Sequence, residues 1–212
     1  MTTERGLDRL IFFTDAVAAI AITLLILPLV DLVPEAANDG QEVSTFLSDN
    51  GGQLLGFAIS FVVIARLWRA HHAIFEHVRA YSSGLLRLSL VWAFTIVLLP
   101  LPTAIISEFS RDRLASALYI GTMAVSSITL TAISWVVRRN ASVEYPDNRL
   151  TAVSMVTSAT TSILFLVALT ISVVFPAISV WSLFVLFLTP PLSALMMRGL
   201  KDRGTVSAPS GS

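Results

Sequence analysis

Asp15, Thr14 and Thr23 lie inside an otherwise apolar run, Arg9 to Leu29, and that setting limits the chemistry open to them. As a helix rising 1.5 Å per residue, RLIFFTDAVAAIAITLLILPL covers roughly 30 Å, the thickness of a bilayer's hydrocarbon core. A carboxylate at that depth is costly unless it faces protein, water or an ion path. Asp15 therefore either binds a proton or ion directly, as a carrier carboxylate does, or anchors the helix to polar groups of a neighbouring span. At 100° per residue, Phe13, Ala16, Ile20, Thr23, Leu24 and Leu27 share one stripe, and Asp15 points about 140° away from Ile20. The stripe is either bundle core or lipid-facing surface, or it lines a symmetry axis. In the second case Ile20, Leu24 and Leu27 stack as apolar rings and Thr23 adds a layer of hydroxyls. Arg9 falls near the same angle at the membrane boundary, where it lines a mouth or turns back to pair.

A second cluster, His71-His72-x-x-x-Glu76-His77, invites a metal reading. His72 and Glu76 share a helix face at i, i+4, but His72 and His77 are five apart and do not. A helix C-terminus enriched in His and Arg, complementing the helix dipole, is the simpler account. Trp68, His71 and His72 are the candidate donors to Asp15. Arg66, if at the membrane edge, snorkels or pairs with a loop acid. Ala117-x-x-x-Gly121 marks close helix packing, and Ser158, Thr160, Thr161 and Ser162 are expected to bond backbone carbonyls. With no cysteine, no phosphate loop, no triad, no carboxylate dyad and no basic nucleic-acid surface, the chain is expected to be neither an enzyme nor a nucleic-acid binder. Metals and cofactors are not expected.

The elements that carry these residues follow from composition. The 212 residues are 55% hydrophobic and only 13% charged, too apolar for a soluble domain. Six membrane helices are expected, at about 10–30, 54–74, 85–107, 114–137, 150–174 and 178–197, within a single all-α domain over 1–203. Residues 204–212 read as a flexible tail. Pro28 and Pro34 should break the first segment, Pro100 and Pro102 should kink the third, and the acidic stretch Asp31–Asn50 reads as a loop. The first segment is too long, and too poor in cleavage signals, for a removable signal peptide. That acidic stretch holds Asp31, Glu35, Asp39, Glu42 and Asp49 without a Lys or Arg, whereas basic residues gather at Arg5 and Arg9, Arg66–Arg87, Arg138–Arg149 and Arg198–Arg203. By the positive-inside rule both termini are cytoplasmic, in a multi-pass protein of a bacterial plasma membrane.

Arg9-x-x-x-Phe13-Thr14-Asp15, followed by Ala16-Val17 and Ala-Ile-Ala-Ile-Thr, resembles the RxxxFSD signature that opens bacterial members of the transmembrane protein 175 family of potassium channels. Thr14 stands where that signature has Ser and keeps the hydroxyl. The second span, with Trp68, His71 and His72, fits as well. The resemblance implies a homotetramer in which first helices line a pore lacking a TVGYG filter. Carried over by position, Ile20, Leu24 and Leu27 form the constriction, Thr23 is a hydroxyl layer, and the Arg9–Asp15 motif anchors the helix within its subunit. The expected activity is passive, potassium-preferring cation conduction. The competing expectation is a proton- or cation-coupled secondary transporter using Asp15.

Overall fold

The computed structural model describes residues 4–206 apart from 81 and 110. Among these residues the chain is helical, with one isolated antiparallel bridge between Val78 and Glu144. The helices are α1 (Glu4–Leu24), α2 (Leu27–Asn38), α3 (Val43–Asp49), α4 (Gly51–Phe75), α5 (Ser83–Leu98), α6 (Pro100–Glu108), α7 (Arg113–Arg139), α8 (Ala152–Val174) and α9 (Thr189–Val206). A 3₁₀ helix, Ser179–Leu188, precedes the last. The starts of α5, α7 and α8 are set by short polar side chains that accept otherwise orphaned N–H groups: Ser82 from Leu85, Asp112 from Ala115 and Thr151 from Ser154.

Five stretches are long and apolar enough to cross a membrane: 5–38, 51–75, 83–108, 113–139 and 152–174. The sixth expected span is shorter as a regular apolar helix, Trp181–Met197, and is split between 3₁₀ and α geometry. Its prolines supply the reason. Pro190 and Pro191 have no N–H to return to the carbonyls one α-turn earlier, and the Thr189 hydroxyl donates to the Leu186 carbonyl instead, at 2.7 Å. With about 2 Å of rise per 3₁₀ residue, Ser179–Met197 still reaches roughly 33 Å.

Segment one breaks at a turn over Leu25–Ile26, and Pro28 sits in the first turn of α2, where a missing N–H costs nothing. Pro34 does not break the chain; it lies inside α2. Much of the expected acidic loop is helix, because α2 runs to Asn38 and α3 takes Val43–Asp49. Segment three divides at Leu99, with Pro100 opening α6, as the sequence implies. Residues 204–206 continue α9, and 207–212 of the expected tail lie outside the described residues.

The centre of a single chain is α7, not α1. It packs on α4, α5, α6 and α8, and Tyr119, Ile120, Met123 and Ile133 are fully buried along it. Close approach occurs at Gly56, where a Cβ would come within 3.1 Å of Ser107 Oγ, whereas a Cβ at Gly121 would meet open space. The expected small-residue contact at Ala117/Gly121 is therefore replaced by one between α4 and α6.

Candidate functional site

α1 has two unlike faces. Leu7, Leu10, Thr14, Ala18, Ala21 and Leu25 are buried, at the three- and four-residue spacing of one helix side, and α1 packs on α5 and α4. Ala18 and Ala21 are small enough for backbones to approach closely there. Phe13, Ala16, Ile20, Thr23, Leu24 and Leu27 are all exposed, Ile20 at 58%. On one chain the stripe is thus an open apolar surface rather than a cavity. Leu27 lies beyond the Leu25–Ile26 turn, at the start of α2, so the stripe crosses a break that the helical wheel did not include.

The polar residues of α1 divide by face. Thr14 is fully buried, and its hydroxyl is shared between the carbonyls of Leu10 (3.1 Å) and Ile11 (2.9 Å). Thr23 is exposed, and its hydroxyl donates to the Ile20 carbonyl at 2.8 Å. Having given its proton to its own helix, that oxygen presents only lone pairs outward. Asp15 Oδ1 accepts a hydrogen bond from Trp68 Nε1 at 2.8 Å, which ties α1 to α4. Arg9 is exposed and makes no hydrogen bond or ion pair among the described residues.

Of the three candidate donors, only Trp68 reaches Asp15. His71 turns away, buried, with its ring stacked between Phe75 (4.4 Å) and Trp92 (4.1 Å). The His72 ring is tilted 33° to that of Trp68 with ring centres 5.8 Å apart, and its Nε2 faces Glu76 at 3.9 Å. Neither histidine hydrogen-bonds α1 among the described residues. No group of three or more His, Asp or Glu there is placed to hold a metal ion. Replacing Trp68 by phenylalanine should cost about 1–3 kcal/mol, because it leaves a partly buried carboxylate without its donor. The thermal midpoint in detergent checks it, and a midpoint equal to wild type would mean that the bond anchors nothing.

Residues 9–100 match the family model described as endosomal/lysosomal potassium channel TMEM175. That match takes in less than half of the chain, so it marks a resemblance of the N-terminal part to the TMEM175 channels, and the relatives that follow are each matched over less than two thirds of their own length. Across 127 residues it is 32% identical to a potassium channel of Streptomyces collinus, an alignment covering 58% of this chain and 60% of that one. A potassium channel of Chamaesiphon minutus is 33% identical over 53% of this chain and 57% of its own. The bovine endosomal/lysosomal proton channel TMEM175 is 36% identical over 51% of this chain but 24% of its own length. The crystal structure of a lysosomal potassium-selective channel TMEM175 homolog from Chamaesiphon minutus superposes with a TM-score of 0.69, covering 91% of this chain and 98% of that one at 23% identity. The chain therefore shares the fold of that solved structure over nearly its whole length.

Three polar features of the bundle escaped the sequence reading. Ser60 Oγ lies 2.7 Å from Tyr119 OH and accepts from Thr103 at 3.1 Å, joining α4, α6 and α7 deep in the bundle. Thr131 bonds Ser158 (3.0 Å) and Ser162 (2.8 Å), so those two serines link α8 to α7 rather than satisfying their own backbone; Thr161 does bond its own helix, at the Thr157 carbonyl. Glu144, 1% exposed, accepts from Arg149 Nε and the Leu150 N–H, at 2.9 and 2.8 Å, with Arg138 at 3.4 Å. A scatter of Ser, Thr and one loop Glu carries no spacing that would single out these partners.

Proposed function

We propose that four copies of this chain surround a common axis with α1 innermost, forming a potassium-preferring cation channel that conducts passively across a bacterial plasma membrane. The observation that carries this reading is the division of α1: an exposed Ile20–Thr23–Leu24–Leu27 stripe, backed by an Asp15 held inside its own subunit by Trp68. The names of the bacterial relatives and the family model support the same activity.

Four Ile20 side chains on an axis make a narrow, dry neck. An ion must shed water there, and potassium sheds it more readily than sodium. One turn away, four Thr23 oxygens present their lone pairs and replace part of the lost shell. Few oxygens and apolar walls give moderate selectivity. Asp31, Glu35, Asp39, Glu42 and Asp49 are all exposed; repeated fourfold on the outer side, with both termini cytoplasmic, they raise the cation concentration at the mouth. A coupled carrier would need Asp15 free to alternate between partners, and its oxygen is engaged with Trp68.

Mass measurement in detergent and planar-bilayer recording under asymmetric potassium and sodium test the proposal together. The expected result is a tetramer mass, resolved unitary currents and a reversal potential displaced toward potassium. Saturating flux of low turnover without unitary currents would favour the carrier.

A further inference from the structure

A cavity of about 300 Å³ opens between α4, α7 and α8, away from α1. Arg66 and Arg69 line it from α4, and Ser154, Thr157 and Ser158 line it from α8. No carboxylate lies on its wall, and no ion pair or hydrogen bond reaches either guanidinium among the described residues. Arg66 stands nine residues before the end of α4, roughly 13 Å inward of it. Arg69, six residues before that end, lies roughly 9 Å inward, and two unpaired like charges on a membrane-spanning helix call for an anion. The hydroxyls of Ser154 and Thr157 donate no hydrogen bond within the described residues and remain available to it.

A second cavity, of about 280 Å³, joins the first through a common wall of Val63, Arg66 and Leu186. Beyond Arg66 it is apolar, running between Ala58, Ile59 and Val62 of α4 and Phe184 and Phe187 of the 3₁₀ helix. Phe184 and Phe187 are well exposed, so the groove opens sideways onto the hydrocarbon. One end of the combined site is cationic and hydroxylated; the other is a greasy channel facing lipid tails.

We propose that this paired cavity binds one anionic phospholipid per chain, its phosphodiester between Arg66, Arg69 and the α8 hydroxyls and an acyl chain in the groove. Guanidinium groups match phosphate oxygens with paired, charge-assisted hydrogen bonds, and basic pockets between membrane helices suit such headgroups. A free phosphate would satisfy the polar half only and leave the groove empty. Occupation would brace α4 against α7 and α8, opposite the side on which Trp68 holds Asp15.

The test is native mass spectrometry of the delipidated full-length protein titrated with phosphatidylglycerol, phosphatidylcholine or inorganic phosphate. The expected result is one phosphatidylglycerol per chain, held about tenfold more tightly than phosphatidylcholine and not displaced by inorganic phosphate. Equal retention of the two lipids by the wild type would overturn the proposal, as would full displacement by phosphate, which would mark a free-anion site. Arg66→Gln with Arg69→Gln should abolish the preference, while Arg87→Gln, a basic residue of α5 outside the cavity, should keep it. Should the double variant fail to fold, Ala58→Trp fills the groove and spares both arginines. Reduced phosphatidylglycerol retention is expected of it, and wild-type retention would overturn the proposal.

Discussion

Replacing Ile20 by asparagine should raise the unitary potassium conductance about tenfold, since each 1.4 kcal/mol removed from a permeation barrier is a factor of ten in rate. The proposed neck is a place where an ion loses water and gains nothing in exchange. Four amides there would hold water and offer carbonyl oxygens, so both ions would cross more easily. Sodium, which releases its water less readily, would gain more, and the preference for potassium should fall. Because Ile20 is 58% exposed on the single chain, the substitution removes little packing within the subunit. The mass in detergent should therefore stay that of the wild-type oligomer, which separates a permeation effect from a folding one. Thr23→Val keeps the shape and deletes the outward lone pairs; it should lower selectivity without a comparable rise in conductance. Bilayer recording reads both variants, and currents unchanged in Ile20→Asn would take that residue out of the constriction.

Much of α1 was legible in the sequence because its signal is strong and local. A single carboxylate in an apolar run, with hydroxyls on defined sides, can be placed on a helical wheel without tertiary information. The motif Arg9-x-x-x-Phe13-Thr14-Asp15 called for a donor among Trp68, His71 and His72, and of the three it is the Trp68 indole that donates to Asp15. What failed depended on context. His71 lies about one turn beyond Trp68 on the same helix, but its ring is spent on Phe75 and Trp92. Pro34 was read as a break, yet a proline within a short helix removes one hydrogen bond and bends it without ending it. The acidic stretch lacks the apolar period of a buried helix because α2 and α3 are almost wholly exposed, so periodicity had nothing to report. The Arg66–Arg69 cavity is assembled from α4 and α8, nearly a hundred residues apart, and no local pattern marks it.

The Glu144 cluster shows how a distant loop fixes the helix that holds α1, and acid should reveal it. Burial alone pushes the Glu144 carboxyl up; the Arg149 hydrogen bond, the Leu150 N–H and the charges of Arg138 and Arg149 outweigh it and hold the group below its ordinary value. A carboxyl whose folded pKa is depressed contributes stability that is complete above its unfolded value, near 4.3, and is lost as pH falls through the folded value. Around it, the connection after α4 is stitched to the connection after α7. The Arg79 N–H donates to the Val143 carbonyl and the Tyr145 N–H to the His77 carbonyl, both at 2.9 Å, while Arg79 Nη2 reaches Ala141 at 3.0 Å. Glu144→Gln keeps an acceptor for Leu150 but strands two guanidiniums beside each other. Removing one partner of a fully buried pair costs about 3–5 kcal/mol; with the arginine side chains 41% and 51% exposed, about 2 kcal/mol is the expected loss at neutral pH. The thermal midpoint should drop by roughly 4–8 °C. The wild-type midpoint should then fall toward that of the variant between about pH 5 and pH 3, the difference between them isolating this one carboxyl from every other acid. Parallel curves over that range would mean that the arginines do not hold its charge. Convergence accompanied by loss of Trp68 burial, read by indole fluorescence, would show that the clamp at the ends of α4 and α7 also sets the seat of Asp15.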